Sequence, residues 1–88
     1  MTYSVMITDK AKKQIDGFDK PTKLMIYKWM AKHLEGTDDP FVSGHALSGN
    51  LAGLWRYRIG DYRIIAKIEK NDLVILVVEA GHRSIIYG

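Results

Sequence analysis

The sequence predicts an α+β domain: a small, largely antiparallel sheet of four strands in β-α-α-β-β-β order, with two N-terminal helices packed on one face. Three observations carry that expectation. Residues 54 to 68 alternate in polarity on either side of Gly60-Asp61, as the two strands of a hairpin do. Residues 9 to 34 repeat apolar side chains at helical spacing and are punctuated by Asp, Pro and Gly where helices begin and end. Residues 73 to 78 are apolar without a break, as in a central strand covered on both faces.

Taken in order, Tyr3, Val5 and Ile7 alternate with Ser4, Met6 and Thr8, which makes a first strand with one buried face. Thr8 or Asp9 caps a short helix that turns Ala11, Ile15 and Phe18 inward and leaves Lys10, Lys12 and Lys13 in solvent. Gly17 frays its end. Asp19 caps a second helix that tolerates Pro21 in its first turn. Its stripe is Leu24, Tyr27, Ala31 and Leu34, flanked by Met25, Ile26, Trp29 and Met30, and Gly36 stops it. Thr37-Asp38-Asp39-Pro40 breaks the helix, and residues 41 to 53, with Gly44, Gly49 and Gly53, read as a long loop.

In the hairpin, Gly60 supplies the positive φ of a type II′ turn, so Ile59 faces Tyr62 and Arg58 faces Arg63. Trp55, Tyr57, Ile59, Tyr62, Ile64 and Ala66 then point to the core, and Arg56, Arg58, Arg63 and Ile65 point away from it. Asn71-Asp72 turns the chain into the last strand. Beyond that strand, strict alternation places His82 on the arginine face, whereas a bulge at Gly81 places Arg83 there; both readings stay open.

The chain has 88 residues, 47% of them hydrophobic, which fits one domain over residues 1–88. It contains no cysteine, so no disulfide or thiolate metal site holds it, as suits a reducing cytoplasm. Its first residues show neither a basic leader nor a long apolar run, so no secretion signal or membrane span is expected. The net charge of +3 favours anionic partners only modestly, and charge type says more. Lysines lie mostly on the helical half, whereas all the arginines, Arg56, Arg58, Arg63 and Arg83, lie beyond residue 55. Guanidinium forks grip phosphate in a way ammonium groups do not. Arg58 directly opposite Arg63 is unfavourable unless an anion joins them.

Other chemistries find little support. His33, His45 and His82 are widely spaced and no carboxylates stand at ligand spacing, so neither metal nor cofactor is expected. Ser43, Ser48 and Ser84 lack a base at a recognisable spacing, and the glycines form no phosphate-binding or dinucleotide fingerprint. His45, in the glycine loop, fits substrate contact and plain solvent exposure equally well.

The segment Gly53-Leu54-Trp55-Arg56-Tyr57-Arg58-Ile59-Gly60-Asp61-Tyr62-Arg63-Ile64-Ile65, closed by Gly81-His82-Arg83-Ser84-Ile85-Ile86-Tyr87, resembles the RelE family of bacterial toxins. The resemblance covers the whole chain. It implies the toxin half of a toxin–antitoxin pair: a cytoplasmic, metal-independent endoribonuclease that cuts messenger RNA in the ribosomal A site. Its implied partners are a RelB-like antitoxin, the ribosome and mRNA, with operator DNA bound only by the toxin–antitoxin complex and no membrane contact. It implies catalytic roles for Arg56, Arg58, Arg63, Arg83 and Tyr87. Arg56 and Arg58 stand where RelE toxins often carry lysine, and arginine does not readily accept a proton. Tyr87, acidified by the guanidinium groups, is then the expected base, with His82 its rival, and His45 a further base or RNA contact. The same architecture also occurs in ParE-type gyrase inhibitors, and a catalytically weak toxin acting through antitoxin and operator binding is a third reading.

Overall fold

In a computed structural model that describes residues 1–83, strand β1 (Ser4–Ile7) leads into helix α1 (Asp9–Asp16). Thr8 has extended backbone and its Oγ1 accepts the Ala11 N–H at 3.1 Å, satisfying an amide that has no partner within the helix. Helix α2 (Lys20–His33) starts after Asp19, which is extended but makes no side-chain cap, and carries Pro21 in its first turn. Strands β2 (Gly44–Ala46), β3 (Leu54–Ile59), β4 (Tyr62–Glu69) and β5 (Val74–His82) follow, with a short 3-10 turn at Gly49–Leu51 between β2 and β3.

The strands form one sheet in the order β1-β5-β4-β3-β2, with β1 parallel to β5 and every other pair antiparallel. The helices lie against the face that carries Tyr57, Ile59, Ile64, Ala66, Ile75, Val77 and Ala80. Ile15 of α1 and Ile26, Met30 and Leu34 of the α2 segment close the core from the other side. The architecture is the α+β arrangement expected from the sequence.

Two details differ. The sheet has five strands among the described residues, because Gly44–Ala46 pairs with Trp55, Arg56 and Tyr57 where a loop was expected. Three residues are too few to display alternation. The strand also depends on a non-local fit: a Cβ on Gly44 would lie 2.5 Å from the Arg56 carbonyl oxygen and 2.7 Å from Trp55 Cδ1. The buried stripe of α2 is rotated from the expected one, running through Ile26, Met30 and Leu34, while Leu24 is 43% exposed and Ala31 is exposed. Apolar residues ring most of this helix, so periodicity alone does not select its inner face; packing on the sheet does, with Trp29 meeting Tyr57 at 5.8 Å between ring centroids.

Asp16 ties the helices together, accepting from Lys12 Nζ at 2.7 Å and Tyr27 Oη at 3.0 Å, with Lys23 Nζ at 3.8 Å. The fully buried Tyr57 donates its hydroxyl to the Pro40 carbonyl, pinning the segment after α2 beneath β3. Among the described residues no helix is long and apolar enough to cross a membrane.

Candidate functional site

The β3–β4 hairpin has the register expected from its turn: Ile59 faces Tyr62, Arg58 faces Arg63 and Arg56 faces Ile65, around Gly60 at φ +58°. Tyr57 and Ile64 are sealed in the core, so Arg56, Arg58 and Arg63 project from the face opposite the helices. Strand β2 adds His45 to that face, directly across from Arg56.

Strand β5 decides what else joins them. Ala66 pairs with Val77 but Ile65 pairs with Glu79, so Val78 is an extra residue, a β-bulge. From there Arg63 faces Gly81 and Tyr62 faces His82. His82 therefore lies on the helix side, its ring edge-on to Tyr62 at 5.3 Å. Arg83 falls on the arginine side, its N–H donating to the Asp61 carbonyl at 2.8 Å. Arg63 Nη1 donates to the Arg83 carbonyl at 3.2 Å, across the space that Gly81 leaves without a side chain. The alternative left open by the sequence is thus resolved in favour of Arg83, through a bulge three residues earlier than Gly81. Its local signal was faint: Glu79 interrupts an apolar run that otherwise reads as unbroken strand.

The face is electrostatically unsatisfied. Arg63 is held below the usual arginine pKa, first by desolvation and then by Arg58, Arg56 and Arg83. The Nε atoms of Arg56 and Arg63 are covered from solvent and have no hydrogen-bond partner among the described residues. Asp61 compensates weakly, its Oδ1 standing 3.9 Å from Arg83 Nη1, a long contact between two exposed groups. Such donors beside mutually repelling cations are of the kind that an anion with several oxygens would satisfy. Of the residues expected to act, Arg56, Arg58, Arg63, Arg83 and His45 share this face, and His82 does not. Tyr87 lies outside the described residues.

The family described as the ParE toxin of type II toxin-antitoxin system, parDE, matches residues 5–87. No curated protein sequence matches the chain. Among solved structures, a chain of the toxin–antitoxin complex RelBE2 from Mycobacterium tuberculosis is similar at 20% identity and TM-score 0.80, covering 94% of this chain and 100% of that one. A chain of the archaeal RelE–RelB complex from Pyrococcus horikoshii is similar at 25% identity and TM-score 0.70, with 94% and 97% covered. A mutant of the E. coli toxin RelE in the free state gives 16% identity and TM-score 0.76, with 97% and 87% covered. With nearly its whole length matched, the chain belongs to the ParE toxin family and is a type II toxin of the RelE/ParE superfamily.

Proposed function

We propose that this toxin, a single domain over residues 1–88, is a ribosome-dependent mRNA endoribonuclease of the cytoplasm that works without a metal or cofactor. The observation that carries the reading is the arginine face, whose Arg56 and Arg63 Nε donors have no partner among the described residues. A scissile phosphate supplies an acceptor. Arg63 and Arg83 would hold its non-bridging oxygens and stabilise the charge that grows as the ribose 2′-oxygen attacks phosphorus. Arg56 and Arg58 would orient the flanking backbone or assist the departing 5′-oxygen. A base removes the 2′-hydroxyl proton, an acid returns one to the 5′-oxygen, and the products are a 2′,3′-cyclic phosphate and a 5′-hydroxyl.

Tyr87 is the base in this scheme. His82, its rival, stands beside Tyr62 on the other side of the sheet, which weakens its claim. His45 gains support as an RNA contact or second proton carrier, because it shares the arginine face. The test is primer extension on messages from translating ribosomes exposed to the protein, alongside a DNA gyrase supercoiling assay. A-site cuts support the reading. Intact RNA with blocked supercoiling supports gyrase inhibition, the second reading, which the ParE family match favours.

The solved neighbours include complexes of RelE with RelB, and we propose a RelB-like antitoxin as the partner of this toxin. An apolar groove supports it, lined by Val5, Ile7, Tyr27, Met30 and Ala31 beside the outer edge of β1. There the Val5 N–H donates to the Glu35 carboxylate at 2.9 Å, a bond that a partner strand can replace. Operator DNA would be bound by the toxin–antitoxin complex alone.

A further inference from the structure

We propose that Gln14, on helix α1 and behind the sheet, is a positioning residue for Arg83, acting with Glu79 to fix the phase of β5 after the Val78 bulge. The inference rests on the reading of the arginine face as a phosphate site, and adds how the fold delivers the last arginine to it.

Up to Val77, strand β5 keeps one register with β4, in which Ile75 faces Ile68 and Val77 faces Ala66, both buried under the helices. Extending that register would set Glu79 opposite Ile64 and His82 opposite Asp61. A carboxylate would then enter the core beside a fully buried isoleucine, and His82 would take the place of Arg83 on the arginine face. The extra residue avoids both. Glu79 turns to the open side, where Lys10 Nζ meets it at 2.8 Å, and Ala80 fills the core position at 3% exposure.

Gln14 reads the same phase from the backbone. Strand β1 pairs with β5 only as far as Val77, so the outer edge of the following segment is covered by α1. In the bulged register the Ala80 N–H points to that edge, and Gln14 Oε1 accepts it at 2.9 Å. In the unbulged register the Ala80 N–H would point to β4 and this bond could not form, because edge-facing amides alternate along a strand. Lys10 and Gln14 stand four residues apart on α1 and therefore share a side of the helix, gripping consecutive residues of β5. Neither is among the arginines, yet together with Glu79 they exclude the register that would remove Arg83 from their face.

The experiment compares Gln14→Ala/Glu79→Leu in the full chain with the same pair in a chain lacking Val78, where residue count alone holds the downstream phase. Two readouts are taken: the proton contact between the His82 and Tyr62 rings by NMR, and the salt dependence of binding to a short single-stranded RNA. In the full chain the pair should abolish the ring contact and reduce the slope of log affinity against log salt by about 0.7, one phosphate contact, to the value of Arg83→Ala. Without Val78 the pair should change neither. A preserved ring contact and unchanged slope in the full chain overturn the inference. Loss of the ring contact with unchanged RNA binding upholds the phasing and refutes the arginine face as the phosphate site. Should the double variant fail to fold, Gln14→Ala alone is scored by the same two signals, with partial changes in the same directions expected.

Discussion

Replacing Arg58 by Gln should weaken RNA binding while making the free protein more resistant to heat, and the opposite signs are the point. Arg58 is exposed, faces Arg63 directly across the hairpin, and adds to the charge that lowers the Arg63 pKa. Without an anion its removal relieves repulsion on the open face; with one, a phosphate contact disappears. If each of the four guanidinium groups neutralises one phosphate of a single strand, log affinity falls against log salt with a slope of about 2.8, at about 0.7 per contact. Between 50 and 200 mM salt, wild-type affinity then drops about fifty-fold, whereas a three-contact variant drops about twenty-fold. Fluorescence anisotropy with a short RNA across that salt range reads the slope, and a thermal melt of the free protein reads stability. A slope unchanged in Arg58→Gln would refute the phosphate contact. A fall in both affinity and melting temperature would show that Arg58 supports the hairpin itself and that no unmet repulsion exists there.

Three further outcomes follow from the scaffold. Tyr57→Phe removes the hydroxyl that the buried Pro40 carbonyl accepts, and should cost about 1–3 kcal/mol in urea unfolding at pH 7. Burial, and secondarily Asp39, raises the Tyr57 pKa, so its contribution is complete below about pH 10 and fades as pH climbs toward the folded value; the variant should therefore lose less stability than wild type in alkali. The hydrogen bond from Lys12, then that from Tyr27, holds the Asp16 carboxyl below its ordinary range, giving stability that is present above about pH 4 and lost as pH falls through the folded pKa. Asp16→Asn should flatten the acid limb of a melting-temperature profile while leaving the slope of RNA binding unaltered. Gly44→Ala places a methyl group against the Arg56 carbonyl and the Trp55 ring, and should lower stability by about 1–3 kcal/mol and detach β2, moving His45 off the arginine face; hydrogen exchange at the Leu47 amide, which bonds the Leu54 carbonyl, would report the detachment.

The hairpin was fully legible in the sequence because its determinants are local. Gly60 sets the turn, the turn sets the register, and the register sets which side chains share a face. Both helices were legible for the same reason, since caps and stops act within one turn. What could not be read was which side of α2 turns inward, because Leu24, Ile26, Tyr27 and Met30 are all apolar and the choice rests on how the helix packs against the sheet, where Ile26, Met30 and Leu34 are buried and Trp29 contacts Tyr57. Strand β2 was hidden similarly. Its three residues form a strand only because β3 offers a free edge and Gly44 allows close approach.

The site shows where that locality ends. Three of its arginines follow from one turn, but the fourth depends on how many residues β5 spends between Val77 and Glu79, and alternation cannot count an extra residue in a run of valines. The physical reasons for the bulge are a carboxylate at position 79 that the core rejects and, far away in the chain, Gln14, sixty-six residues before Ala80, which accepts the Ala80 amide. In the sequence Glu79 reads only as an interruption and Gln14 only as a polar residue of a short helix. Their meaning appears when α1 is laid against the uncovered edge of β5. A cationic face that repels itself needs its members held in place by groups outside their charges, since beyond the hydrogen bond from Arg63 to the Arg83 carbonyl the guanidinium groups only repel one another until an anion arrives. Helix α1, which contributes no arginine, is therefore as much a determinant of where Arg83 lies as the strands that carry the four guanidinium groups.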